Sequence, residues 1–157
     1  MNSLRFVALS TEIVRTYQNG APDANGQPPE RHIAQETGLP CRHCLRAMKV
    51  GEPYLILAHR PFPAAQPYAE LGPIFLHADA CERHAETTDA PAMFLSWERL
   101  LIRGYNVQNR IIYGTGQVVA PSQLVEAAEQ LLARPELAYL HMRSATNNCY
   151  QCRIERG

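Results

Sequence analysis

The chain has 157 residues, 46% of them hydrophobic, and its fifteen basic and fifteen acidic side chains cancel. That length and composition fit one globular domain over residues 1–157 with a core large enough to fold without disulfide help. The balanced charge gives no global pull toward nucleic acid or an anionic membrane, so neither is expected as a partner. No apolar run approaches the ~20 residues that cross a bilayer, and residues 1–10 lack the basic-then-apolar pattern of a secretory signal. A cytoplasmic location is therefore expected, and in that reducing compartment the five cysteines serve as free thiols, metal ligands or a redox pair rather than a disulfide framework.

In chain order, residues 4–9 alternate as a first strand. Ser10 caps a short helix through Tyr17, with Gly20 just beyond its end. Residues 20–31 hold three prolines, two glycines and almost nothing to bury, which predicts a flexible surface loop. Residues 54–59 and 73–77 read as strands flanking a proline-rich loop, the first apolar on both faces and hence central. Thr88 or Asp89 caps a helix running to about Arg99. Strands over 100–105 and 110–120 are joined by a turn at 106–109. Pro121 opens the strongest helix, with Leu124, Ala128 and Leu131 as its buried stripe and Pro135 as its stop. Residues 138–144 and 150–155 form a last hairpin. The sum is an α+β fold: a largely antiparallel sheet with two or three packed helices. A parallel crossover through the helix after Pro121 is the alternative connection.

The sharpest chemical signal is a pair of Cys-x-x-Cys motifs, Cys41-Arg42-His43-Cys44 and Cys149-Tyr150-Gln151-Cys152, with a fifth cysteine in His77-Ala78-Asp79-Ala80-Cys81. Zinc takes four ligands in a tetrahedron, commonly thiolates with an occasional imidazole. The preferred ligand set is Cys41, Cys44, His77 and Cys81. It requires strands 54–59 and 73–77 to be hairpin partners, so that the two ligand pairs meet. A second partition joins Cys41 and Cys44 to Cys149 and Cys152, but i and i+3 in an extended segment point to opposite faces. Neither pair is followed by the glycine that often assists such a turn. The competing readings are a redox dithiol, with Arg42 and His43 lowering a thiolate pKa, and simple buried thiols.

Strand parity places Tyr139, His141 and Arg143 on one face, and Arg103 shares a face with Tyr105 on an earlier strand. If the two strands are neighbours, Arg103, Tyr139, His141 and Arg143, with Asn147 and Asn148 at the turn, line a cationic pocket for a small anionic ligand. His141 is then the acid/base candidate of a small-molecule enzyme. The alternative is an ordinary wet sheet face.

Several stretches stand together in this chain: Pro40-Cys-Arg-His-Cys-Leu45, Gly51-Glu-Pro-Tyr-Leu-Ile-Leu57, Pro67-Tyr-Ala-Glu-Leu-Gly-Pro-Ile-Phe75, Ala138-Tyr-Leu-His-Met-Arg143 and Asn148-Cys-Tyr-Gln-Cys-Arg153. In this order, over roughly residues 38–156, the chain resembles a bacterial family known as domain of unknown function 1203 (DUF1203). The resemblance implies a soluble bacterial protein and brings no established activity or catalytic residues. The functional expectation is a binding or accessory module with a structural zinc site. The alternatives are an enzyme acting on an anionic substrate and, third, a thiol redox protein.

Overall fold

Alternation in the last hairpin organises the larger of two sheets. The computed structural model describes residues 3–157. Strands β1 (Leu4–Val7), β5 (Leu100–Tyr105), β6 (Gln117–Val119), β7 (Tyr139–Ser144) and β8 (Tyr150–Arg156) form a five-stranded antiparallel sheet in the order β1-β8-β7-β5-β6. A smaller antiparallel sheet holds β2 (Glu30–Ile33), β3 (Pro53–His59) and β4 (Gly72–His77), with β3 central. Two α-helices, α1 (Thr11–Gln18) and α2 (Leu124–Leu132), complete a roughly α+β architecture. No described helix is long and apolar enough to cross a membrane.

Successive strand residues point to opposite faces, so the large sheet has two different sides. Leu4, Phe6, Leu100, Ile102, Leu140, Met142, Cys152 and Ile154 face α2 and pack on its Leu124, Ala128 and Leu131 in the main core. Tyr105 and Tyr139 face the other way and are covered by Phe62 from the β3–β4 connection. A second core joins Leu55, Leu57, Ile74 and Leu76 of the small sheet to Val14 of α1. Ser10 caps α1 by accepting the Ile13 N–H at 3.3 Å, which satisfies one of the donors a helix start leaves open.

Four expectations need correction. The segment 110–116 is not a strand. Ile112 N–H donates to the Gly104 carbonyl, and the buried Thr115 hydroxyl accepts the Gly104 N–H at 2.9 Å, so the chain folds back on itself before β6 begins. A Cβ added at Gly104 would press on the buried Leu137 side chain and crowd Thr115. The helix after Thr88 is a short 3-10 turn, Ala92–Ser96. Phe6 N–H donates to the Thr87 carbonyl, which draws the expected capping region alongside β1. The surface loop over residues 20–31, expected to be flexible, is tied down by hydrogen bonds. The Asp23 carboxylate accepts N–H groups from Asn25, Gln27 and Ala58, and Ala24 N–H donates to Ala58; by residue 30 the chain is already in β2. The crossover exists only in split form, since β6 and β7 both run antiparallel to β5, which separates them.

Because Leu131 is 5% exposed in the main core, truncating it to alanine is expected to remove about 2–4 kcal/mol of stability by leaving a cavity. Urea denaturation of Leu131→Ala checks this, and an unchanged midpoint would contradict the packing of α2.

Candidate metal centre

The metal-ligating geometry begins with one tight turn. Pro40 and Ala47 pair across it, Cys41 N–H donates to the Arg46 carbonyl at 3.1 Å, and Leu45 N–H donates to the Cys41 carbonyl at 3.0 Å. The turn closes with Leu45 at φ 54°, a left-handed conformation that glycine adopts without strain and that leucine enters at a cost of about 1–2 kcal/mol. Leu45 is 2% exposed and packs in the main core, so burial of its side chain, about 1.5–3 kcal/mol, offsets the backbone cost. This is why the turn forms without the expected glycine.

The turn lies beside β4. Cys41 bridges Phe75, Arg42 N–H donates to the Phe75 carbonyl, and His77 N–H donates to Cys41 Sγ at 3.4 Å. The β3–β4 hairpin pairs Tyr54 with His77 and carries His77 to the sulfurs, as the preferred ligand set requires. Four residues later the chain brings back Cys81. Cys41, Cys44, His77 and Cys81 place one ligand atom each within 4.8 Å of all the others, and no other group of three or more such side chains converges among the described residues. Cys41 Sγ lies 3.9 Å from Cys81 Sγ, and Cys44 Sγ lies 3.4 Å from His77 Nδ1. Zinc–sulfur bonds of about 2.3 Å in a tetrahedron put sulfurs about 3.8 Å apart, so these edges have the size of a four-coordinate site.

Around these four the supporting groups match a metal. His77 Nε2, the ring nitrogen away from the sulfurs, is 3.3 Å from a Glu52 carboxylate oxygen. A carboxylate behind a histidine fixes its tautomer and raises its basicity as a ligand. His43 Nδ1 lies 3.1 Å from Cys81 Sγ while its Nε2 meets the Thr11 hydroxyl at 2.9 Å. Arg15 donates to the Cys81 carbonyl at 3.0 Å, placing a cation beside a cluster that three thiolates and a divalent ion would leave with net negative charge. Hydrogen bonds from Cys41 and Cys81 pull the Cys44 thiol far below its ordinary value. Hydrogen bonding to Cys41 and then Cys44 pushes His77 up to about 10. Sequence reasoning missed Glu52, to which the Tyr54–His77 register leads, and named His43 only as a neighbour that lowers a thiolate pKa, not as a partner of Cys81.

The second Cys-x-x-Cys pair does not join this centre. Cys152 is buried in the main core, and Cys149 lies half-exposed at the β7–β8 turn with its thiol 3.7 Å from the Asn147 carbonyl. Nor does the first pair open a helix as a thioredoxin-type dithiol does.

The polar side chains of β5 and β7 share one face as expected, with Arg103 directly opposite His141, but they do not form one pocket. Arg103 is ion-paired to Glu70 at 2.8 Å and also donates to the Tyr105 hydroxyl. The Tyr139 hydroxyl donates to Asn109 at 2.8 Å, and Arg153 stacks on its ring. His141 is fully buried among Phe62, Tyr105, Tyr139 and Tyr150, with ring centroids 4.7–5.2 Å away. Neither of its ring nitrogens has a hydrogen-bond partner among the described residues. Burial, then Arg143, drives its pKa well below the ordinary range. This face is therefore not a wet sheet surface. Arg143, Asn147 and Asn148 do come together, along one cavity shared with His59 and Tyr150.

Residues 38–156 match the family described as "Protein of unknown function (DUF1203)", and the chain belongs to that family. No curated protein and no solved structure matches the chain.

Two buried histidines make stability fall in acid. Burial, then Arg42, lowers His59 to about 4, and His141 is lower than ordinary for the same first reason. An unfolded histidine titrates near 6.5. Below that pH the unfolded chain takes up protons that the native state refuses, so stability present above pH 6.5 is lost as the pH falls toward 4. The urea midpoint is expected to drop between pH 7 and pH 5, and to drop less steeply in His141→Phe. Equal slopes in the two proteins would show that His141 is not held neutral by its surroundings.

Proposed function

We propose that the protein is a binding module built around a structural zinc ion held by Cys41, Cys44, His77 and Cys81. The observation that carries this reading is the convergence of three sulfurs and one imidazole nitrogen within 4.8 Å, with Glu52 behind the imidazole. Sulfur-rich tetrahedral donor sets favour zinc over magnesium, calcium or manganese, which prefer oxygen. Four protein ligands close the coordination sphere, and a closed site leaves no position for a substrate or an activated water. The ion then acts by tying the 40–47 turn to the end of β4 and to the segment after it. A binding role is preferred to catalysis through His141, because that imidazole has no exposed surface and, among the described residues, no protein group bonds to its nitrogens.

Protein purified without added metal is expected to carry one zinc per chain by elemental analysis. Cys41→Ser and Cys81→Ser should each lose it and melt at a lower temperature. Glu52→Gln should keep the fold and release zinc to a chelator 10–100-fold more readily, the usual cost of losing a carboxylate behind a ligand. Less than one zinc in ten chains, with normal stability, would overturn the reading.

A further inference from the structure

Arg143 is a cation without a counterion. It projects from β7, is 5% exposed, and no acidic side chain among the described residues pairs with it. Among the described residues its only hydrogen bond runs from Nη1 to the Asn148 carbonyl at 3.0 Å, and its Nε is buried with no partner there. The contrast with Arg42 is informative. Arg42 is equally buried, but its Nε and Nη1 are taken by the carbonyls of Tyr150 and Pro40 at 2.7 Å. A buried charge left unpaired costs several kcal/mol, and a guanidinium with open donors is built to grip an oxyanion through two parallel N–H bonds.

Arg143 lines a cavity of about 200 Å³ between the β7–β8 turn and the start of β4. Asn147 and Tyr150 offer uncharged hydrogen-bonding groups there, while Pro61, Leu71 and Pro73 supply an apolar wall. Glu70 also borders the cavity, held by Arg103. One cation, neutral donors, an apolar wall and a carboxylate on the rim suit a monoanion with a small organic body. They disfavour a phosphate dianion, which would face Glu70 with only one arginine to balance it.

We propose that this cavity binds a small monocarboxylate, its carboxylate gripped by Arg143 and its carbon skeleton laid against Pro61, Leu71 and Pro73. This names the ligand class of the binding module proposed above, and it does not depend on the metal. Cys149 borders the same cavity and provides a chemical reporter, its alkylation followed by peptide mapping so that the half-exposed Cys81 is counted apart.

Sodium propionate is titrated into the full-length, 15N-labelled protein as purified, with sodium phosphate at matched ionic strength in parallel. The expected result is saturable shifts of the Arg143 Nε–Hε and Asn148 amide resonances with propionate, and alkylation of Cys149 slowed at least twofold at saturation. Arg143→Lys, which keeps the charge but lacks the fork, should weaken propionate at least tenfold. Asn147→Asp, at an exposed position that leaves the fold intact, should do the same by adding a second rim carboxylate. No saturable shift with propionate, or undiminished binding in Asn147→Asp, overturns the site. Tighter saturation by phosphate than by propionate overturns the carboxylate class. Zinc measured on the same sample separates the two proposals, because loss of the metal reading leaves these titrations unaltered.

Discussion

Arg42 is the residue through which the parts of this protein are held in register. Its guanidinium is 1% exposed and burial lowers its pKa to about 10, so at neutral pH it is a buried cation satisfied by carbonyl dipoles and by the Phe75 ring 5.6 Å away. Its backbone N–H binds β4 at Phe75, and its carbonyl accepts the Leu9 N–H at the junction of β1 and α1. Its side chain reaches Tyr150 at the start of β8. One residue thus joins the small sheet, the first helix and the large sheet. Removing the charge would strand two carbonyls, and removing the side chain would open a void between the two cores; either route carries the penalty of a broken buried polar contact.

This placement also links the two sites. Arg42 stands between Cys41 and His43 in the ligand-bearing turn, and the carbonyl it holds belongs to Tyr150, a wall of the Arg143 cavity. The turn itself is divided between cores, with Cys41 and Cys44 in the core of the small sheet and Leu45 in that of the large one. The left-handed leucine is the point at which the chain passes from one to the other. Glycine there would relax the backbone and forfeit the packing.

Much of this was legible because local patterns were not overridden. Alternation marked β1, β5, β7 and β8, the Ser10 cap marked α1, and the stripe of Leu124, Ala128 and Leu131 marked α2. The convergence of Cys41, Cys44, His77 and Cys81 was legible for a related reason: pairing two apolar strands into a hairpin brings His77 back toward Cys41. What stayed hidden came from long-range contacts. Nothing local says that Phe62, from the loop between β3 and β4, covers His141 and turns a polar-looking strand face into an interior. Glu70, 33 residues before Arg103, neutralises it without any motif to announce the pairing. Thr115 ends a run that looked extended by accepting a hydrogen bond from Gly104, and β2 is a strand of exposed residues whose only signal is its partner.

The β7–β8 ladder slips by one residue: Met142 faces Cys152, yet Arg143 faces Tyr150, leaving Gln151 as a bulge. In an unbroken strand Tyr150 would share the side of Cys152 and Ile154 and enter the helix-covered core. The inserted residue rotates it to the opposite side, onto His141 and into the wall beside Arg143. The spacing of Cys149 and Cys152, which reads as a ligand motif, is in the fold a counting device. Which side chains meet in the cavity is set by strand register as much as by residue identity. Regular pairing at the same length, with Gln151 opposite Arg143 and no bulge, would leave the chemistry of the segment unchanged and still exchange what faces the cavity with what faces the core.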